Sequence, residues 1–276
     1  MKSAPDPGAG ASRPDARFAR LRGARRVWAI AVICGEAQRL AQLHDTISER
    51  SRVGDRVVYL GNYVGGGSVF GTIDELLDFR RRVLGRPGGA ACDVVFLRGA
   101  QEEMWQKLLQ LQFAPNPGEL LQWLVQAGME TTIRAYDGDL RQGYAACRDG
   151  ARAITRWTGA LRSAMNATPG HTELFAALRH AAFTENRGLL FVHAAVEPSR
   201  PLSEQRDAFW WGREDILELK EPFAGFNRIV RGVDRDRRGV VERQFAVSVD
   251  GGAGHAGRLI AACFGLDGAL LDIAEV

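Results

Sequence analysis

Val27-Trp28-Ala29-Ile30-Ala31-Val32-Ile33-Cys34-Gly35 is an unbroken apolar run that closes on a glycine. Three more segments repeat the pattern. Val57-Val58-Tyr59-Leu60-Gly61 leads into Asn62-Tyr63-Val64-Gly65-Gly66-Gly67, and Val94-Val95-Phe96-Leu97 leads into Arg98-Gly99-Ala100-Gln101-Glu102-Glu103. Far downstream, Leu189-Leu190-Phe191-Val192 leads into His193-Ala194-Ala195. Each reads as a strand running into a loop, and loops at strand ends are where α/β proteins place their chemistry.

Between these runs the apolar period changes to that of a helix. Leu40, Leu43 and Ile47 mark one helix, with Glu36 in its first turn, where the dipole favours an acid. Ile73, Leu76, Leu77, Val83 and Leu84 mark a second, stopped by Gly85-Arg86-Pro87-Gly88-Gly89, and Met104, Leu108 and Leu111 a third. Residues 115 to about 180 lack strand signals and read as a helical insertion or cap, with helical stretches at Leu120–Ala127, Ala151–Met165 and Thr172–His180. Strands return at 188–193, 228–232, the alternating Phe245-Val247-Val249, Arg258–Phe264 and Ala269–Ile273, with Gly251-Gly252 and Asp267-Gly268 as turns. The expected fold is a mixed α/β sandwich flanked by helices, with βαβ units first and a mostly antiparallel sheet last. Residues 1–24, rich in Pro, Gly, Ala and Arg, are expected to be a disordered basic tail, and 25–276 one domain.

The chain has 276 residues and 46% hydrophobic content, ample for a packed core. Residues 1–26 hold seven basic and two acidic side chains, giving +5, so the remainder carries about −2 of the +3 total. That near-neutral body does not point to specific nucleic-acid binding. Cys34, Cys92, Cys147 and Cys263 have no metal-ligand spacing and form no disulfide framework, which fits a reducing cytoplasm. Arg25-Arg26 followed by eight apolar residues superficially resembles an export signal, but the stretch is short and lacks a cleavage site. No run approaches the ~20 apolar residues of a membrane span.

Taken in order, the segments resemble the calcineurin-like metallophosphoesterase superfamily, in particular the short bacterial serine/threonine phosphoprotein phosphatases. The flanks Gly54-Asp55-Arg56-Val57, Thr131–Tyr136, Arg200–Gln205, Trp211-Gly212-Arg213 and Gly257-Arg258-Leu259 agree with it. The resemblance implies a metallophosphoesterase-type β-sandwich and a site in which two divalent metals activate water and polarise a phosphoryl group.

The residues that should form that site are mostly altered. The family's first motif is Gly-Asp-x-His-Gly, and Val32 and Cys34 stand at its Asp and His. In the second, Asn62 replaces the metal-bridging Asp, Gly65 the Asp that orients the catalytic His, and Gly66 the phosphate-gripping Arg. In the third, Ala100 and Gln101 stand at the ligand Asn and the general-acid His, and Glu102 is kept. The fourth keeps its ligand as His193; in the fifth, Val233 stands at the ligand His. Hard cations need anionic oxygen or imidazole donors, and a glutamine cannot deliver a proton. The resemblance therefore implies a pocket with no catalytic residue, no metal and no cofactor.

The leading expectation is a pseudophosphatase that binds a protein partner or a phosphorylated ligand. Arg98, Arg213 and Arg231 are its candidate anion contacts, Gly65-Gly66-Gly67 a flexible turn in vacated space, and Trp210-Trp211 pocket wall. One rival is a weakly active phosphoesterase using a metal at His193 and Asn62, or a Cys34 nucleophile. Another is a nucleic-acid binder acting through the basic tail.

Overall fold

The computed structural model describes residues 16–86, 88–212 and 214–276. In chain order the first elements are β1 (Phe18–Leu21), β2 (Arg26–Ile30), α1 (Ala37–Arg50), β3 (Asp55–Tyr59), α2 (Val69–Leu84), β4 (Val94–Phe96) and α3 (Ala100–Leu109). A helical stretch follows: α4 (Pro117–Leu124), α5 (Glu130–Ala135), α6 (Leu140–Asp149), α7 (Ala151–Ala167) and α8 (His171–Ala177). Then come β5 (Ala181–Thr184), β6 (Leu189–Val192), α9 (Ala208–Trp211), β7 (Arg228–Arg231), β8 (Gly239–Glu242), β9 (Ala246–Asp250), β10 (Ile260–Gly265) and β11 (Leu270–Glu275).

The strands form two sheets, ordered β11-β10-β2-β3-β4 and β1-β5-β6-β7-β9-β8. Period-two alternation sorts their side chains into three apolar layers. Trp28, Ile30, Val57, Tyr59, Val94 and Phe96 face a core shared with the helices. Val27, Ala29, Val58, Leu60, Val95 and Leu97 face the second sheet and meet Phe191, Val230 and Val247. The outer face of the second sheet, with Leu190, Val192 and Ile229, is covered by Phe209, Ile216 and Phe223. Burial on both faces is why the decisive runs are continuously apolar. The helices of residues 117–177 contribute Leu121, Ile133, Leu161 and Leu174 to the first of these layers.

Two expectations are corrected. Of the expected tail, residues 1–15 lie outside the described residues, but Phe18–Leu21 is a strand, pairing in parallel with β5. The late strands do not form a mostly antiparallel sheet of their own. β10 pairs antiparallel with β2, so it and β11 complete the first sheet. In the other sheet β1–β5, β6–β7 and β7–β9 are parallel and β5–β6 and β8–β9 antiparallel. Strand pairing of this kind depends on long-range contacts that local patterning does not encode.

α1 and α2 are joined to β3 by a buried polar chain. His44 Nδ1 lies 2.6 Å from a Glu75 oxygen, and the Tyr59 hydroxyl lies 2.7 Å from His44 Nε2. A carboxylate only accepts, so Nδ1 donates and Nε2 accepts from the hydroxyl. Burial holds the His44 pKa below its ordinary value, and the ring stacks on Phe79 at 3.9 Å. Tyr59→Phe leaves Nε2 buried without a donor, and is expected to cost about 1–3 kcal/mol in urea denaturation; an unchanged midpoint would show that the chain contributes nothing.

Candidate functional site

The four loops expected from sequence converge at the C-terminal ends of β2, β3, β4 and β6, and Glu102 ties two of them together. Its carboxylate accepts from the backbone N–H of Asn62 (2.9 Å), Tyr63 (2.8 Å), Val64 (3.4 Å) and Gly99 (2.9 Å). Glu102 is buried in the first turn of α3, where an acid is favoured. Desolvation pushes its pKa up, and the four N–H groups pull it partway back. Asn62 in turn passes its backbone carbonyl to the first loop, accepting from Ile33 N (3.1 Å) and Cys34 N (2.8 Å).

The candidate positions fall into place around this knot. Asn62 adopts a left-handed backbone (φ 55°), and its side-chain oxygen accepts from Gln101 N at 3.0 Å. Gln101 is turned away from a proton-transfer role, donating its amide to Ala127 O at 2.8 Å. The Gly65–Gly67 segment is close-packed, not a flexible filler of vacated space. A Cβ at Gly65 would sit 2.4 Å from Gln101 Cδ, and one at Gly35 would sit 2.1 Å from Gly66 O. Gln101 therefore occupies the space a side chain at 65 would need. Val32 is buried and apolar.

His193 closes the other side. A carbonyl only accepts, so the 2.6 Å contact of its Nδ1 with Leu60 O places the proton on Nδ1. Nε2 is left as a bare lone pair, buried and without a hydrogen-bond partner among the described residues. Burial lowers the His193 pKa to about 4, partly offset by Leu60. Its own carbonyl accepts from Gly232 N and Val233 N, which seats the fifth segment beside it.

Above these loops opens a cavity of about 390 Å3, lined among others by Asn62, Ala100, His193, Trp210, Trp211 and Val233. Its far wall carries an ion-pair network that sequence reading missed. Arg231 is buried and contacts Asp215 (2.9 Å), Asp234 (3.2 Å) and Ser248 (3.1 Å). Arg238 contacts Asp234 at 2.7 Å. Burial raises the Asp234 pKa, but Arg238 and Arg231 outweigh it and the net shift is downward. The alternating run Asp234-Arg235-Asp236-Arg237-Arg238 was the available signal. Buried Asp250 also belongs here, accepting from Asp234 N and Gly252 N.

Of the three candidate anion contacts, Arg231 lines the cavity with its guanidinium already committed to acids. Arg98 does not share that rim. It pairs with Glu103 at 3.1 Å and lines a separate cavity with Trp105, Met165 and Phe175. Arg213 lies outside the described residues. Cys34 is half-buried, its thiol pushed up to about 12 by burial and by Asp250, Glu102 and Glu36, which leaves no thiolate for a nucleophile at neutral pH.

The residues present do not fit a two-metal centre. Val32, Ala100 and Val233 carry no donor, the Asn62 oxygen is engaged by Gln101, and His193 offers one lone pair. Among the described residues, no group of three or more His, Cys, Asp or Glu side chains converges to hold a cation.

A solved structure provisionally assigned as a diadenosine tetraphosphatase superposes with a TM-score of 0.55 at 19% identity, covering 94% of this chain and 97% of that one. The chain has a metallophosphoesterase-like fold. A cold-active protein tyrosine phosphatase (TM-score 0.49, 13% identity, 92% of this chain and 80% of that one) adds no weight at that score. The same holds for a protein serine/threonine phosphatase from Saccharomyces cerevisiae (0.47, 12%, 94% and 82%). No protein-family model and no curated protein matches the chain. Among the described residues, no helix is long and apolar enough to cross a membrane.

Two outcomes test this geometry. Glu102→Gln turns an NH2 group toward backbone N–H donors and is expected to cost about 2–3 kcal/mol of stability in denaturant titrations; a neutral effect would remove Glu102 as the tie. Unfolded His193 takes up a proton near pH 6.5, the folded one only near 4. Stability is therefore full above pH 6.5 and falls on acidification, by up to about 3 kcal/mol. His193→Gln is expected to flatten that part of the acid limb in pH-dependent melts.

Proposed function

We propose that this chain is a pseudophosphatase, a metallophosphoesterase-like fold that does not hydrolyse phosphate esters and acts by binding. The observation that carries the reading is the engagement of the surviving polar atoms. The Asn62 oxygen is held by Gln101 N–H and the Gln101 amide by Ala127. The positions around them are Val32, Ala100 and Val233, which have no donor atoms. Two divalent cations need a bridging anion to offset their repulsion, and no carboxylate stands at the bridging position. What remains is an open cavity with aromatic and charged walls, suited to a ligand that is held and not cleaved.

The ligand is a protein partner or, as the sequence also suggested, a phosphorylated molecule. Four cysteines free of disulfides support a reducing compartment. The second reading, a weakly active phosphoesterase, is favoured by one observation: His193 Nε2 is a lone pair without a partner.

Hydrolysis of an aryl phosphate across a Mn2+ titration separates the two, with His193→Ala as the matched control. The expected result is no turnover above the control at any Mn2+ concentration. Turnover that rises with Mn2+ and disappears in His193→Ala would overturn the pseudophosphatase reading.

A further inference from the structure

The cavity left at the family's metal position is richer in acceptors than in free donors of positive charge. Glu214, Asp215, Asp234 and Asp236 line it, against Arg231 and Arg235. Arg231 and neighbouring Arg238 are taken up by Asp215 and Asp234. Glu214 has no ion pair among the described residues. Asp236 has only a 3.7 Å contact to Arg238, with 71% of its side chain exposed. Arg235, on the exposed rim, is the one lining cation without an ion pair among the described residues. A phosphoryl group entering this space meets carboxylates with no metal to offset them.

A second observation is independent of those charges. His193, only 1% exposed, lines the cavity with a bare Nε2 acceptor. A lone pair buried without a donor is a cost that a ligand N–H removes. The wall beside it is aromatic. Trp210 and Trp211 meet edge to face at 6.1 Å, and Lys107 Nζ already sits 5.3 Å from the Trp211 ring, so the surface accepts cations. The indole N–H groups of both tryptophans are buried without hydrogen-bond partners among the described residues, so their NMR signals report on this wall.

We infer that this cavity binds the cationic side chain of a basic peptide segment, arginine above lysine, where a metallophosphoesterase would hold a phosphoryl group. The guanidinium offers N–H donors to His193 Nε2 and a planar fork to Glu214 or Asp236. This inference rests on the pseudophosphatase reading and specifies its ligand.

The test follows the six tryptophan indole N–H signals by NMR during titration with a tri-arginine peptide and, separately, inorganic phosphate. Trp210→Phe and Trp211→Phe assign the two signals. The peptide is expected to shift both saturably, with affinity about five- to tenfold weaker in the Glu214→Gln/Asp236→Asn double variant. Neither substituted acid holds Arg231, and Arg238, which loses its 3.7 Å contact to Asp236, is still held by Asp234 at 2.7 Å. Phosphate is expected to leave the signals in place. Saturable phosphate shifts of the two signals would overturn the inference, as would peptide binding indifferent to the double variant, or no peptide binding. Aryl phosphate turnover with Mn2+ is assayed on the same samples. Absent binding without turnover sinks only this inference; turnover alongside acid-dependent peptide binding sinks only the pseudophosphatase reading.

Discussion

One carboxylate positions the site. Glu102 gathers four backbone N–H groups from two loops, and Asn62, caught in that grip, relays the constraint to the Ile33–Cys34 turn through its carbonyl. Three strand ends are thereby linked through one side chain. Hydrogen bonds to an ionised acceptor are among the stronger ones proteins make, and burying the charge is tolerable because both oxygens are occupied. On the proposed reading, this grip gives the loops their geometry independently of metal binding.

The turn at Gly65 is also closely packed. A side chain at 65 would collide with Gln101, and Gln101 is held by Ala127 on the turn between α4 and α5. Replacing Gly65 by an acid therefore requires the Gln101 side chain to leave its bond to Ala127, at a backbone angle (φ 93°) that favours glycine. On the open side, the wall built from Arg231, Asp215 and Asp234 is satisfied internally. What is left for a ligand is the His193 lone pair, the tryptophan wall and the peripheral carboxylates.

Much of this was legible in the chain because both-face burial leaves long marks. β2, β3, β4 and β6 announce themselves as apolar runs, and α1, α2 and α3 by the recurrence of Leu40, Ile73 and Met104 with their partners. β1, β5 and β8 were not legible: Phe18-Ala19-Arg20-Leu21 and Ala181-Ala182-Phe183-Thr184 are four residues long, and Gly239–Glu242 is half exposed. The four motif loops lie together because each is anchored to a strand end. The direction of Arg98 was not legible, since Glu103, one turn along α3, captures it. Nor was the full Arg231 network, because Asp215 joins it from a loop distant in sequence from β7.

The central claim is that these loops hold their shape without two metals. It is tested most directly by growing crystals in Mn2+ and computing the anomalous difference map at the manganese edge. The account predicts no peak between His193 Nε2, Asn62 and Cys34, with the Glu102 hydrogen bonds in place. Two peaks about 3.5–4 Å apart at that position would contradict it.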